Sequence, residues 1–259
     1  MEPIKLLPGK KVYFASDFHL GAPDAKSSAL RERKIVRWLE EIRPDAGVVF
    51  LLGDIFDFWF EYRHAIPRGF VRLQGKLAEF TDSGIPVIFF TGNHDMWMFD
   101  YFTQELNIPI YRKPVSTSIG DHTFYIGHGD GLGPKDHTYK VLKRVFANPL
   151  SQWLFARIHP NTGIAVANAW SRKSRASQGE PEKAMQNIED EWLVHYCREV
   201  EATQHHDFYV FGHRHLPLDL PIGHQARYVN LGEWVNFCTY AVYDGQQLHI
   251  RYFEKETAM

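Results

Sequence analysis

Short, almost continuous runs of apolar residues alternate along the chain with longer stretches in which apolar residues recur at helical spacing. The apolar runs predict β-strands at residues 11–16, 46–52, 86–90, 123–126 and 208–211. The helical spacing predicts helices at about residues 27–43, 69–83 and 181–203. Pro44 and Gly84 mark the ends of the first two helices, and short strands joined by turns are expected from Ala226 onward. Alternation of this kind is typical of βαβ units and predicts a largely parallel sheet.

One segment interrupts the alternation. Residues from about 134 to 178 have a helical pattern, mix basic with aromatic side chains, and contain no predicted strand. We interpret the segment as a helical lid inserted into a single domain that spans residues 1–259. A helical face that is apolar with basic flanks can shelter acyl chains or lie on an anionic membrane surface. The plainer interpretation is a helical hairpin that packs on the core and keeps its lysines in solvent.

Composition and charge narrow the class of protein. The formal net charge of -2 lacks the basic excess of a nucleic-acid-binding chain, so we expect no nucleic-acid partner. The two cysteines, Cys197 and Cys238, occur in unrelated contexts, which favours a reducing compartment such as the cytoplasm. We expect no signal peptide in residues 1–10, and no window reaches the roughly 18 to 20 apolar residues of a membrane span.

Residues able to bind a metal follow five of the predicted strands, usually beside a glycine. In chain order these residues are Asp17, His19, Asp54, Asn93, His94, Asp95, His128, His213 and His215. Sites in open α/β sheets form at the carboxyl ends of the strands, so we expect these side chains to converge in space. Residues i and i+2 of an extended backbone point to the same side. Asp17 and His19 can therefore face one metal together, and the same holds for the His213–His215 pair.

Each motif alone has a plainer interpretation as a turn residue, a helix cap or a surface histidine. These interpretations do not account for five such motifs at five strand ends of one chain. A mixture of carboxylate, carboxamide and imidazole suits Mn, Fe, Zn or Co rather than a metal that prefers thiolates. With one shared aspartate, seven ligands can hold two metals about 3.5 to 4 Å apart.

The motifs Asp-x-His, Gly-Asp, Gly-Asn-His-Asp, Gly-His and Gly-His-x-His, in this order over residues 17–215, resemble those of the calcineurin-like metallophosphoesterases. The resemblance implies an α/β fold, a four-layer αββα sandwich of two stacked sheets flanked by helices. It also implies two divalent metal ions. Carried over by motif, the ligands of one ion are Asp17, His19, Asp54 and His215. Those of the other ion are Asp54, Asn93, His128 and His213, with Asp54 bridging.

The reaction that the resemblance implies is direct hydrolysis of a phosphoester by water activated at the two metals. In the wider family, the histidine of Gly-Asn-His-Asp contacts the phosphate or protonates the leaving group, and here it is His94. We expect Asp95 to orient His94.

A narrower resemblance covers most of the chain. It is carried by Ser-Asp-Phe-His-Leu at 16–20, Leu-Gly-Asp-Ile-Phe at 52–56 and His-Gly-Asp at 128–130, followed by the helical insertion. These features are similar to the UDP-2,3-diacylglucosamine hydrolases of lipid A synthesis. The resemblance implies Mn²⁺-dependent cleavage of the pyrophosphate of a lipid-linked nucleotide, peripherally on the cytoplasmic face of the inner membrane. The expected substrate contacts are Asp136, Tyr139, Arg157, Arg172, Lys173 and Arg175.

One position departs from the hydrolase pattern, since that family usually has arginine where this chain has His94. Arginine binds phosphate as a fixed cation, whereas histidine can also transfer a proton. A related metallophosphoesterase with another nucleotide or phospholipid substrate therefore stays an alternative, and such an enzyme would not need a long apolar groove. A second alternative is a protein-binding scaffold that has lost catalysis. Such scaffolds usually lose a ligand or the Asn-His pair, and this chain keeps both.

Overall fold

Two β-sheets form the centre of the computed structural model. The structure describes residues 1–133, 137–178, 191–223 and 225–254. The side chains of residues 137, 138, 168 and 172–178 are not described. The first sheet, in spatial order, consists of β11 (Leu248–Tyr252), β10 (Thr239–Tyr243), β1 (Lys11–Ala15), β2 (Ala46–Leu52), β3 (Val87–Phe90) and β4 (Ile110–Tyr111). The second consists of β5 (Val115–Ile119), β6 (His122–Gly127), β7 (Phe208–Phe211), β9 (Ala226–Leu231) and β8 (Pro217–Ile222).

The described helices divide into three groups according to what they cover. Those on the first sheet are α1 (Ala25–Ile42), α2 (Val71–Asp82) and α3 (Tyr101–Leu106). Those of the lid are α4 (His137–Ala147), α5 (Pro149–Phe155) and α6 (Pro160–Gln178). The helix on the second sheet is α7 (Trp192–Glu201), and residues 179–190 before it lie outside the described part.

Three apolar clusters separate the layers. Trp38 and Leu39 of α1 pack with inward side chains of the first sheet. Phe14 of β1 and Phe124 of β6 belong to the cluster between the two sheets, with their ring centroids 6.0 Å apart. Leu193 and neighbouring residues of α7 cover the second sheet. Burial of each apolar face against the next layer supplies the main driving force for this arrangement, and it confirms the predicted four-layer αββα sandwich.

The local sequence explains how α1 begins and which face it buries. The Asp24 carboxylate accepts hydrogen bonds from the backbone N–H groups of Lys26 and Ser27, which caps the first turn. Ile35 and Trp38, three residues apart, then bury one side of the helix.

Parallel pairing brings the ends of the site-bearing strands together. β1, β2 and β3 pair in parallel in the first sheet, as do β6 and β7 in the second. The prediction of a largely parallel sheet does not hold for the outer strands. Antiparallel pairing joins β1 to β10, β10 to β11, β5 to β6 and β8 to β9.

The lid, meaning helices α4 to α6, packs on the core through aromatic side chains. Trp97 contacts Phe146 and Phe155 with ring centroids 5.5 and 4.8 Å away, and its indole N–H donates to the Phe146 carbonyl over 2.8 Å. Phe60 of the core also contacts Phe155 at 4.7 Å. The extent of a single domain, 1–259, with an insertion at about 134–178 stays a prediction. None of the helices that the structure describes is both long enough and apolar enough to cross a bilayer.

Candidate metal centre

Two adjoining groups of side chains bring their potential ligand atoms within 4.8 Å of one another at the strand ends. The first group is Asp17, His19, Asp54 and His215, and the second is Asp54, His128 and His213. Asp54 therefore belongs to both. Asn93 adjoins the second group, since its Oδ1 lies 3.4 Å from His128 Nε2. The structure thus brings together all seven side chains expected to bind metal.

The backbone at the site adopts a conformation that is uncommon for residues other than glycine. The left-handed positions are Asp17, His19, Asp54, His213 and His215, with φ of 55°, 44°, 52°, 71° and 57°. Such conformations cost free energy, and they cluster where the surrounding structure holds a functional side chain in place. Sharp turns directly after the strands therefore aim these side chains at one another.

Each aspartate has one oxygen held by the backbone and the other facing the imidazoles. Asp17 Oδ2 accepts from the His213 N–H at 3.0 Å, while Oδ1 lies 3.2 Å from His215 Nε2. Asp54 Oδ1 accepts from the His94 N–H at 2.9 Å, whereas Oδ2 lies 3.4 Å from His128 Nε2. The free oxygens thus line the space that the rings also face.

Buried polar contacts hold the ligand loops. His128 Nδ1 lies 2.7 Å from the Leu52 carbonyl, which can only accept, so this nitrogen carries a proton and Nε2 is left to face Asp54. Between the two histidines of the last motif, Arg214 Nε donates over 2.9 Å to Glu191, whose side chain is fully buried. These contacts restrict how the imidazoles can turn.

The two buried aspartates of the centre are held in their ionised form, which favours a cation between them. Burial opposes ionisation of Asp17, but the hydrogen bond and charge of His215 and the nearby His128 hold its pKa below the usual value. Burial likewise opposes ionisation of Asp54, yet the charges of His128 and His94 lower its pKa well below the ordinary range. In return, and against the effect of burial, Asp54 raises the pKa of His128 to about 10.

Two of the imidazoles are held neutral. Burial and the adjacent His215 lower the pKa of His19, and burial with the adjacent His128 lowers the pKa of His213 to about 4. His19 Nε2 and His215 Nε2 lie 3.1 Å apart and can share at most one proton. Neutral imidazoles and buried carboxylates that face one another form an N/O donor set that fits divalent transition metals.

Asp95 does not orient His94, so that expectation is wrong. The Asp95 carboxylate instead accepts from the backbone N–H groups of Gly92 at 2.7 Å and Ile55 at 2.8 Å, and thereby joins the loops after β3 and β2. Burial and the Asp54 charge raise the pKa of Asp95 to about 7, although these N–H groups favour its ionised form. Asp95 is thus a structural link between two ligand loops.

The residues expected to contact substrate are only partly described. Asp136 lies outside the described residues, and so do the side chains of Arg172, Lys173 and Arg175 in α6. The Tyr139 hydroxyl donates to Asp130 Oδ2 over 2.5 Å, and Arg157 stacks on the exposed Trp153 ring. Their roles in binding substrate stay predictions.

Two residues that the sequence analysis did not single out also reach the site. Asp57 lies 3.7 Å from His19 Nδ1 and 3.8 Å from His94 Nδ1, and Ser171 of α6 contacts both Asp57 and His94. Asp57 follows Asp54 by three residues, which was a weak local signal. Ser171 comes more than a hundred residues later in an ordinary helical pattern.

The chain is similar to known proteins over nearly its full length. The profile of the family described as calcineurin-like phosphoesterase matches residues 10–217. A UDP-2,3-diacylglucosamine hydrolase from Porphyromonas gingivalis is 39% identical over 257 residues, covering 94% of this chain and 98% of that protein. One from Edwardsiella ictaluri is 24% identical over 92% of this chain and 90% of that protein. Among solved structures, a dimetal phosphatase from Danio rerio covers 96% of this chain and 100% of its own at 13% identity, with a TM-score of 0.44.

Both the length of the family match and the identity to the Porphyromonas relative are sufficient to establish membership. The buried cluster of aspartate and histidine side chains supplies the ligands that a divalent ion needs. The chain belongs to the calcineurin-like phosphoesterase family and is a metal-dependent hydrolase.

Proposed function

We propose that the chain hydrolyses the pyrophosphate bond of UDP-2,3-diacylglucosamine to UMP and 2,3-diacylglucosamine 1-phosphate. The observation that carries the proposal is the pair of ligand groups that share Asp54 next to a cation-lined cavity. Relatives that cover most of this chain are named for the same substrate. The proposed partner is accordingly a lipid-linked nucleotide.

The proposed metal ions are two Mn²⁺. One would be held by Asp17, His19, Asp54 and His215, and the other by Asp54, Asn93, His128 and His213. Such ions, when bound, lower the pKa of water and neutralise charge on phosphate oxygens. The chain contributes the fixed positions of its ligand atoms, because the backbone N–H groups of His94 and His213 already hold Asp54 and Asp17.

The proposed role of His94 is to contact the phosphate or to give a proton to the leaving oxygen. Its side chain is 12% exposed, so the ring lies at the border between the ligand cluster and solvent. Asp57 and Ser171 both contact Nδ1, which restricts rotation of the ring.

A cavity of about 880 Å³ beside His128 offers room for the charged part of the substrate. Its basic lining residues differ in what they already bind. Lys143 is paired with Asp130 at 2.7 Å, and Lys140 donates to the Gly133 carbonyl. Lys113 and Arg144 make no ion pair with any residue that the structure describes, so their charges are the ones proposed to meet phosphate oxygens.

Turnover with Mn²⁺ tests the substrate directly. We expect UMP release from UDP-2,3-diacylglucosamine and little release from UDP-N-acetylglucosamine, which has the same nucleotide and sugar but not the two acyl chains. Bis(p-nitrophenyl) phosphate serves as the soluble phosphodiester. Hydrolysis of the soluble esters alone would contradict the lipid substrate and indicate a phosphoesterase for another nucleotide or a phospholipid.

The proposal includes peripheral contact with the cytoplasmic face of the inner membrane. It is supported by the concentration of exposed apolar side chains in the lid. These are Val141, Val145, Leu150, Trp153, Leu154, Ile158, Val166 and Trp170. Arg157, stacked on Trp153, places a cation next to this surface. An apolar helical surface with cations beside it suits an anionic lipid interface.

Vesicle sedimentation tests this contact. We expect the chain to sediment with vesicles of phosphatidylcholine and phosphatidylglycerol, and a Leu150→Ser, Trp153→Ser variant to bind at least about tenfold less, because each buried side chain contributes roughly 1.5 to 3 kcal/mol. The control is Leu7→Ser, where the side chain is 67% exposed before β1 and outside the lid. A chain that stays in the supernatant, or a lid variant that binds equally well, would contradict the membrane contact.

A further inference from the structure

The lid reaches the metal centre through one buried serine. Ser171 lies on α6 and is 6% exposed. Its hydroxyl donates to Asp57 Oδ2 over 2.9 Å and lies 3.2 Å from His94 Nδ1. A side chain from the lid thus contacts two residues that belong to the loops after β2 and β3.

Asp57 stands between this serine and two imidazoles. It is 4% exposed, and its Oδ1 lies 3.7 Å from His19 Nδ1. Its backbone carbonyl lies 3.0 Å from His94 Nδ1. The Asp57 backbone is itself fixed, because its N–H donates to the Leu20 carbonyl over 2.9 Å.

These contacts determine the tautomer of His94. A carbonyl oxygen can only accept, so Nδ1 of the neutral ring carries the proton and points it at Asp57. Nε2, on the opposite side of the ring, is the nitrogen left to meet substrate. The His94 ring also meets the His19 ring edge-on at 5.0 Å, so it lies against a proposed metal ligand.

We propose that Ser171 is a positioning residue of the lid that holds the Asp57–His94 pair in place, and that the seated lid is therefore part of the catalytic alignment. This inference rests on the proposed phosphoester hydrolysis. Ser171 fixes the Asp57 side chain, and Asp57 fixes the ring that touches substrate. A lid that moves away from the core removes the serine hydroxyl from both contacts.

Turnover of bis(p-nitrophenyl) phosphate with Mn²⁺ tests the proposal without relying on the lipid. We expect Ser171→Ala to lower kcat roughly 10- to 100-fold, which is the usual effect of losing a residue that orients another functional side chain. KM should stay within about twofold of the wild-type value. Ser171→Thr keeps a hydroxyl and should restore most of kcat. Ser151→Ala, on α5 of the same lid, is the matched control and should leave kcat unchanged.

A double variant distinguishes a serine that positions His94 from a serine that acts on the substrate directly. In a His94→Ala background, Ser171→Ala should cause no further loss, because the ring that the serine positions is gone. An equal loss in both backgrounds would overturn the proposal and indicate that Ser171 acts on its own. An unchanged Ser171→Ala would overturn it as well.

A readout independent of turnover is the ¹⁵N spectrum of the histidine rings in the metal-free chain. We expect His94 to show the Nδ1–H tautomer in the wild type and a mixture of tautomers in Ser171→Ala. Identical spectra would count against the proposal. A wild-type chain that hydrolyses no phosphoester would refute the proposed function, whereas these spectra would still report on the Ser171–Asp57–His94 contacts.

Discussion

Replacement of Asp54 by asparagine is expected to lower metal-dependent turnover by at least about a thousandfold, well beyond the 10- to 100-fold cost of losing an outer partner of a metal ligand. Asparagine keeps the shape of the side chain and an oxygen that can accept from the His94 N–H, as Asp54 Oδ1 does over 2.9 Å. It removes the negative charge that both ligand groups share. Because Asp54 lies in both groups, the change should weaken binding of both proposed ions. Calorimetric titration with Mn²⁺ measures the binding, and a separate assay measures turnover.

The control for this substitution is Asp82→Asn, which makes the same chemical change at the exposed end of α2. We expect it to leave ion binding and turnover as in the wild type. If Asp54→Asn still bound two Mn²⁺ with unchanged affinity and turned over normally, the assignment of Asp54 as the shared ligand would be wrong.

Gly92→Ala is expected to abolish most of the turnover, although residue 92 itself contributes no ligand. A Cβ at residue 92 would lie 2.6 Å from the Asp54 backbone nitrogen and closer still to the Asp54 carboxylate. The backbone of one loop or the other would have to move, at a cost of roughly 1 to 3 kcal/mol or more in unfolding free energy. Since Asp54 would lose its position, we expect at least about a hundredfold loss of turnover, in line with the loss of an outer partner.

Gly75→Ala provides the matched comparison. Gly75 lies inside α2 with open space around the position of a Cβ, so alanine there should raise the unfolding free energy by about 0.5 to 1 kcal/mol. Urea titrations of both variants beside turnover measure the two effects. Normal activity of Gly92→Ala would show that the loops after β2 and β3 are not as tightly apposed as the structure places them.

The strands that carry the site were predictable because they are buried on both faces. The bounds of β2 and β7 agree with the apolar runs 46–52 and 208–211, and the metal-capable residues after them converge as expected. A strand covered by a layer on each side needs apolar residues at every position, so a single pattern shows both its identity and its limits.

Three of the four described edge strands, β4, β5 and β8, were not predicted from the sequence. β5 has the sequence Val-Ser-Thr-Ser-Ile, and β8 contains Pro217 and Pro221. Polar residues and prolines are tolerated where one side of a strand has no partner, and they remove the apolar signal. The choice of partner, parallel or antiparallel, depends on packing between distant segments, which no local pattern records.

The surroundings of the ligands were predicted less well than the ligands. Asp95 was expected to face His94 because the two are adjacent in sequence, but its carboxylate turns toward the backbone of Gly92 and Ile55. Ser171 and Asp57 are 114 residues apart and meet only because α6 lies over the site. The type and order of the ligands can be recognised from short motifs. The contacts of Asp95, Ser171 and Asp57 depend on tertiary packing, which short motifs do not show.

The centre draws its ligands from loops of both sheets: β1, β2 and β3 belong to one, and β6 and β7 to the other. An ion that binds only the folded chain therefore acts as a crosslink between the two halves of the sandwich. By mass action, a free ion at a hundred times its dissociation constant adds about 2.7 kcal/mol to the free energy of unfolding. We therefore expect divalent ions to raise the free energy of unfolding as well as turnover, and chelation to lower both.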